Sequence, residues 1–120
     1  MITSYRDLIV WQRSIELVQE IYHLTEHFTK TEIYGITNQM RRAAISIPSN
    51  IAEGYARKHR QEYKQFIRIA YGSGAELETQ LLISKQLKFT DETRFEKSES
   101  LLLETMKMLN KMATSLNSKP

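Results

Sequence analysis

Cysteine is missing from this chain of 120 residues, and glycine and proline are scarce, at 4 and 2. The first absence excludes a disulfide framework, a thiol nucleophile and a thiolate metal site. The second argues against a turn-rich β fold and for long helices, because turns and hairpins draw on those two residues. No run of about 18 apolar residues exists, so no membrane-spanning helix is expected. Residues 1–12 lack the basic start, apolar stretch and small-residue cleavage site of a secretory leader. Together these point to a cytoplasmic protein with no membrane partner. No glycine-rich phosphate loop is present, and three scattered histidines carry no Ser/His/Asp geometry. What is present is 41% apolar and 26% charged residues, enough to bury a core in one domain spanning residues 1–120.

Apolar spacing predicts four helices. The first runs from about Asp7 to Glu26, with Leu8, Trp11, Ile15, Val18 and Tyr22 as the buried stripe. Val10, Leu17, Ile21 and Leu24 widen that stripe to roughly half the circumference, beyond the ~100° a bundle core uses. Such an arc points to a second covered surface, hence an oligomer. Ser4 and Asp7 have capping-box spacing, as do Thr29 and Glu32, where the second helix is expected to start. Phe28 and Ile33 have staple spacing. The second stripe continues through Ile36, Met40, Ala43, Ala44, Ile47 and Ile51 and keeps its phase across a kink expected at Pro48, and Gly54 is expected to end the helix soon after. The third helix spans about Arg60–Leu87, with a stripe of Tyr63, Phe66, Ile67, Ala70, Gly74, Leu77 and Leu81 whose middle is small at Ala70 and Gly74. Thr90 or Asp91 caps the fourth, whose stripe is Phe95, Leu102, Met106, Leu109, Ala113 and Leu116. The tail from Asn117 to Pro120 is expected to fray. Four such helices with short connections predict an all-α, antiparallel up-down-up-down four-helix bundle with a Pro-kinked second helix.

Residues 23–27 spell His-Leu-Thr-Glu-His, an inverted zinc-protease motif, and Glu20 with His23 spells half of a di-iron bundle site. A di-iron site needs the same motif on a second helix, which is absent. Glu16, Glu20, His23 and His27 also fall opposite the Leu8/Trp11/Ile15 stripe, where bundle ligands do not point. A solvated polar face near a helix C-terminus is the simpler reading, with no cofactor.

Charge is unevenly spread. The total is +3, yet residues 41–68 hold Arg41, Arg42, Arg57, Lys58, Arg60, Lys64 and Arg68 against only Glu53 and Glu62. Arg60, Lys64 and Arg68 recur at four-residue spacing, a row of like charges that repel unless a polyanion relieves them. Arg41, Arg57, Lys58, Arg60, Lys64 and Arg68 are therefore candidate contacts to RNA or DNA. Tyr55 and Tyr63 lie near enough in sequence to stack on bases, and equally fit a core. A polar stripe of Arg42, Ser46, Ser49, Asn50 and Glu53, with Glu76 on the third helix, is either solvated or a register-setting network inside an oligomer; its candidate members are Arg42, Ser46, Asn50, Glu53 and Glu76.

The runs Asp7–Gln12, Tyr34–Ala44, Ser46–Gly54, Ala70–Ser73 and Glu76–Leu81 together resemble a known family: the four-helix bundles encoded in intervening sequences of 23S ribosomal RNA genes. The block Ser-Ile-Pro-Ser-Asn-Ile-Ala-Glu-Gly at 46–54 is the most specific part, and the likeness covers nearly the whole chain. It implies a homopentamer without enzymatic activity. It also implies kinship with the basic accessory bundle of diversity-generating retroelements, and so a nucleic-acid, reverse-transcriptase or ribosome-associated partner. Three positions depart from the family pattern. Thr29 replaces a frequent Pro, His59 replaces the Ser that usually caps the third helix, and Lys88 replaces the Gly that usually ends it.

The expectation is thus a non-enzymatic, homo-oligomeric bundle acting as a nucleic-acid-associated scaffold. The alternative is a protein–protein interaction module with no nucleic-acid role. A third reading, a metal-dependent bundle enzyme using Glu20, His23 and His27, is the weakest of the three.

Overall fold

The computed structural model describes residues 1–117, the side chains of Ile33 and Tyr34 excepted. Four helices carry the fold: α1 (Ile9–Thr25), α2 (Asn38–Arg57), α3 (Arg60–Gln86) and α4 (Glu96–Asn117). α1 and α3 each pack against both α2 and α4, which closes a ring of four helices around one core. The molecule measures 49 × 22 × 20 Å, and α3 alone is roughly 40 Å long at 1.5 Å per residue, so the helices lie along the long axis. Arg13 meets Glu104 and Glu20 meets Lys97. Arg60 reaches Ser115 and Lys85 reaches Glu99. In each pair of helices the numbers fall along one as they rise along the other.

α1 turns a different face to the core than its periodicity predicts. Val10, Leu17, Ile21 and Leu24 are buried, whereas Trp11, Ile15 and Val18 are half-buried and Tyr22 is exposed. The two apolar arcs adjoin, and spacing cannot rank them; packing against α2 and α4 does. Two polar residues sit in the true core seam. The Ser14 hydroxyl donates to the Trp11 carbonyl at 2.7 Å, and the Thr25 hydroxyl to the Ile21 carbonyl at 2.7 Å, so neither is left unsatisfied. The Ser4/Asp7 box forms, but it caps a 3-10 turn, Tyr5–Asp7, that precedes α1.

The second helix starts later than its capping signal. Lys30–Glu32 forms a 3-10 turn and Ile33–Thr37 a π turn, in which Gly35 leaves helical torsions (φ −105°, ψ −114°). The Thr29 hydroxyl pairs with that of Thr31 at 3.0 Å. The Phe28–Ile33 staple lies outside the described residues, as does the tail at 118–120. Phe28 packs on Phe89 and Phe95, with ring centroids 5.5 and 6.1 Å apart. Buried Pro48 lies inside α2, which runs on to Arg57. Gly54 therefore does not end the helix. It is buried where α2 and α3 approach closely: a Cβ there would come within 2.7 Å of Phe66 Cβ and 3.3 Å of the Tyr63 carbonyl oxygen. The helix ends instead at Lys58, in left-handed torsions (φ 55°, ψ 33°).

α3 and α4 match their expected stripes closely. Ile67, Ala70, Gly74, Leu77 and Leu81 are buried in α3, and Leu102 and Leu109 in α4. A Cβ on Gly74 would run into the Met106 side chain, so the small middle of the stripe admits α4. Lys88, the residue in place of a usual glycine, takes the left-handed conformation that glycine would (φ 58°). Asp91 caps the next turn, Glu92–Phe95, by accepting the Thr93 N–H at 2.9 Å and the Thr93 hydroxyl at 2.7 Å. Those bonds hold its carboxyl below the usual carboxylate range, the Thr93 hydroxyl contributing most.

Candidate nucleic-acid interface

The α2–α3 connection is only two residues, Lys58 and His59, so the end of one helix and the start of the next share one corner of the bundle. Five of the six predicted phosphate contacts lie within that corner or the α3 turns that follow it: Arg57, Lys58, Arg60, Lys64 and Arg68. Their circumstances differ. Arg57 pairs with Glu53 at 3.0 Å and lies over the Phe66 ring, 5.3 Å from its centroid. The Glu53 hydrogen bond raises the Arg57 pKa. Arg60 donates to the Ser115 and Leu116 carbonyls, both at 3.2 Å, and so ties the start of α3 to the end of α4, where carbonyls lack helical partners. Lys58 and Arg68 are exposed and Lys64 is half-buried; none of the three has a hydrogen-bond or ion-pair partner among the described residues. His59 sits at the N-cap position of α3 without a side-chain capping bond.

A cleft opens at this corner between Tyr55, Lys58, His59, Arg60, Tyr63 and Leu116. Tyr55 and Tyr63 are half-buried and meet edge to face, 6.0 Å between centroids. Burial, and to a lesser degree Tyr55, raise the Tyr63 pKa. The two rings thus serve as a wall of the cleft and as part of the helix packing at once.

Arg41 does not join this group. It lies sixteen residues before Arg57 on α2, roughly 24 Å along the axis, beside the end of α1. Its Nε donates to the Thr25 hydroxyl at 2.9 Å, and its guanidinium covers the Tyr22 ring at 4.4 Å. Arg42 is exposed and lines a depression with Arg41 and Tyr22.

The polar stripe is partly brought together. Ser46 pairs with Ser73 of α3 at 2.8 Å, and the Asn50 amide donates to the Ser46 carbonyl and hydroxyl at 2.8 and 2.9 Å. Glu53 is drawn to Arg57 instead, while Glu76 is exposed and unpaired among the described residues. Ser73 was missed by the sequence reading. Its signal in the sequence was slight, one small hydroxyl residue between the glycines at 72 and 74. Of the metal-motif residues, Glu20 pairs with Lys97 at 3.5 Å and His27 Nε2 meets Arg94 at 2.9 Å. Among the described residues no group of three His, Cys, Asp or Glu is placed to hold a metal ion, and no helix is long and apolar enough to cross a membrane.

The model of the 23S rRNA-intervening sequence protein family matches residues 6–111. Among solved structures, the chain is similar to a protein of unknown function from the S23 ribosomal protein family of Bacteroides thetaiotaomicron. Identity is 21%, the match covers 88% of this chain and 98% of that one, and the TM-score is 0.81, which shows a shared fold. No curated protein matches the chain significantly.

Proposed function

The chain belongs to the 23S rRNA-intervening sequence protein family, and from that premise we propose a non-enzymatic, cytoplasmic, homo-oligomeric scaffold that binds RNA or DNA at its α2–α3 corner. The observation that carries this reading is the set of three cations, Lys58, Lys64 and Arg68, that have no hydrogen-bond or ion-pair partner among the described residues, Lys58 lining a cleft walled by two tyrosines and the other two lying on the α3 turns that follow. Cations spaced along a helix contact successive phosphates, and half-exposed rings offer bases a stacking surface. Arg57 and Arg60, engaged by Glu53 and by the end of α4, shape that corner.

Self-association is supported by apolar surface that one bundle does not cover. Trp11, Ile15 and Val18 of α1 line a groove with Ile45 and Pro48 of α2. On α3, Ile69 and Ile83 remain 47% and 41% exposed on the stripe that also holds Ser73 and Glu76. A five-membered ring is the assembly the family resemblance implies, with a reverse transcriptase or a ribosome-associated protein as further partner.

The test is retention of labelled RNA and DNA against salt. Lys58/Lys64/Arg68→Ala should weaken retention at least tenfold and flatten its salt slope by about 2–3. Unchanged retention, or none in the wild type at low salt, would remove the nucleic-acid role. A second reading, a protein–protein interaction module, is favoured by one feature. Leu82 and Leu103 stand 54% and 55% exposed at a groove between α3 and α4. Capture of a partner that survives nuclease treatment would select it.

A further inference from the structure

At the other end of α2, Tyr22, Gly35, Asn38, Gln39, Arg41, Arg42 and Ile45 line a mainly polar depression that includes two arginines and, among the described residues, no carboxylate. Arg41 is held there in a fixed pose. Its guanidinium carbon lies over the Tyr22 ring, 4.4 Å from the centroid, and among the described residues Nε is its one engaged donor, bonded to the Thr25 hydroxyl oxygen at 2.9 Å. A guanidinium anchored at Nε and on one face keeps its two terminal nitrogens as a preset fork. Neither of those nitrogens has a hydrogen-bond partner among the described residues. The same holds for the Arg42 guanidinium and for the side-chain amides of Asn38 and Gln39. Thr25, itself buried, is locked by its bond to the Ile21 carbonyl, so the anchor does not drift with solvent.

Two guanidinium groups that line one depression, with no carboxylate among its described lining residues, repel each other, and a long side chain loses rotamer freedom when it is fixed. An arginine held this way without an acidic partner matches the chemistry of a tetrahedral oxyanion, which takes bidentate N–H donors from Arg and further bonds from amides. We propose that the Arg41–Arg42 depression binds a phosphate group. Arg41 supplies the oriented fork, Arg42 the second charge, and Asn38 and Gln39 the neutral donors. This site is separate from the α2–α3 corner and does not rest on nucleic-acid binding there. The phosphate could belong to a free phosphate ester or to a nucleic-acid backbone, and both present the same oxygens.

Backbone amide NMR shifts, followed while inorganic phosphate replaces chloride at constant ionic strength, provide the test. Saturable shifts confined to residues near the end of α1 and the start of α2 are expected, with a Kd on the order of 1 mM, as suits a small ligand held by a few polar contacts. Arg42→Gln, an exposed and unpaired position, should weaken binding at least tenfold. Arg41→Lys, which keeps the charge and loses the fork, should also weaken it. Lys58/Lys64/Arg68→Ala should leave it unchanged. Tighter binding of a nucleoside monophosphate than of an oligonucleotide without terminal phosphate identifies a free ester; the reverse identifies a backbone. Shifts that chloride produces equally, shifts spread over the whole basic surface, or an Arg42→Gln protein that binds phosphate like the wild type would overturn the proposal.

Discussion

The two turns that flank α3 are built from the same device and end up opposite in character. Each passes through a lysine in the left-handed conformation, Lys58 before the helix and Lys88 after it. Beyond Lys88 the chain is closed down: Asp91 caps the next turn, Phe89 packs on Phe28, and Phe95 is fully buried. Beyond Lys58 it is left open. His59 offers no side-chain cap, Tyr55 and Tyr63 are half-buried, and cations follow at 60, 64 and 68. A junction with its cap, its aromatic contacts and its burial complete has the features of a structural joint. A junction that forgoes a cap and gathers like charges gives up stability that a bound polyanion would restore. The difference separates the part of the bundle that holds the fold from the part that we propose takes a nucleic acid.

The sharpest way to break this contrast is at the closed end. Phe95→Ala should destabilise by about 3–5 kcal/mol in denaturant unfolding, since it empties a fully buried aromatic site. A loss below about 1 kcal/mol would mean the joint is not structural. At the open end the packing beneath the charges is tight, and Gly54→Ala should cost about 1–3 kcal/mol because its methyl meets the Phe66 Cβ and the Tyr63 backbone. The surface charges above should behave otherwise. Lys58/Lys64/Arg68→Ala should leave the unfolding free energy within about 0.5 kcal/mol of wild type while reducing nucleic-acid retention.

Smaller effects refine the comparison. Lys58→Gly and Lys88→Gly should each stabilise by about 0.5–1 kcal/mol, the relief of a left-handed lysine less the added chain entropy. Only Lys58→Gly should also weaken retention of RNA or DNA; equal binding losses from both would erase the distinction. The smallest effect is in acid. The Asp91 pKa is lowered in the fold by the Thr93 hydroxyl and N–H. Its contribution is therefore present above the ordinary carboxylate pKa and is lost as pH falls through the depressed folded value. Asp91→Asn should flatten the fall in melting temperature on acidification, and should leave the neutral-pH corner at Lys58 unaffected.

Much of this was legible along the chain. The bounds of α3, the Asp91 cap, the Ser4/Asp7 box and the crowding of cations after Arg57 all follow from local bonds or simple counting. The Arg41 site was not legible, because it joins Tyr22 and Thr25 to a residue sixteen or more positions away with no motif between them. The later start of α2 was hidden by a sound capping signal at Thr29 that Gly35 interrupts.

By itself, then, the sequence determined that this protein is helical, where α3 runs, and which segment is basic. Those are consequences of spacing, propensity and composition, each acting within a few residues. Only the tertiary structure decided that α1 buries Val10, Leu17 and Ile21 and leaves Trp11, Ile15 and Val18 half-covered. It alone made Gly54 a contact between helices, linked Ser46 to Ser73, and parted Arg41 from the other cations. Two adjoining apolar arcs are equivalent to an isolated helix, and only neighbouring helices, by filling space against one of them, make them differ.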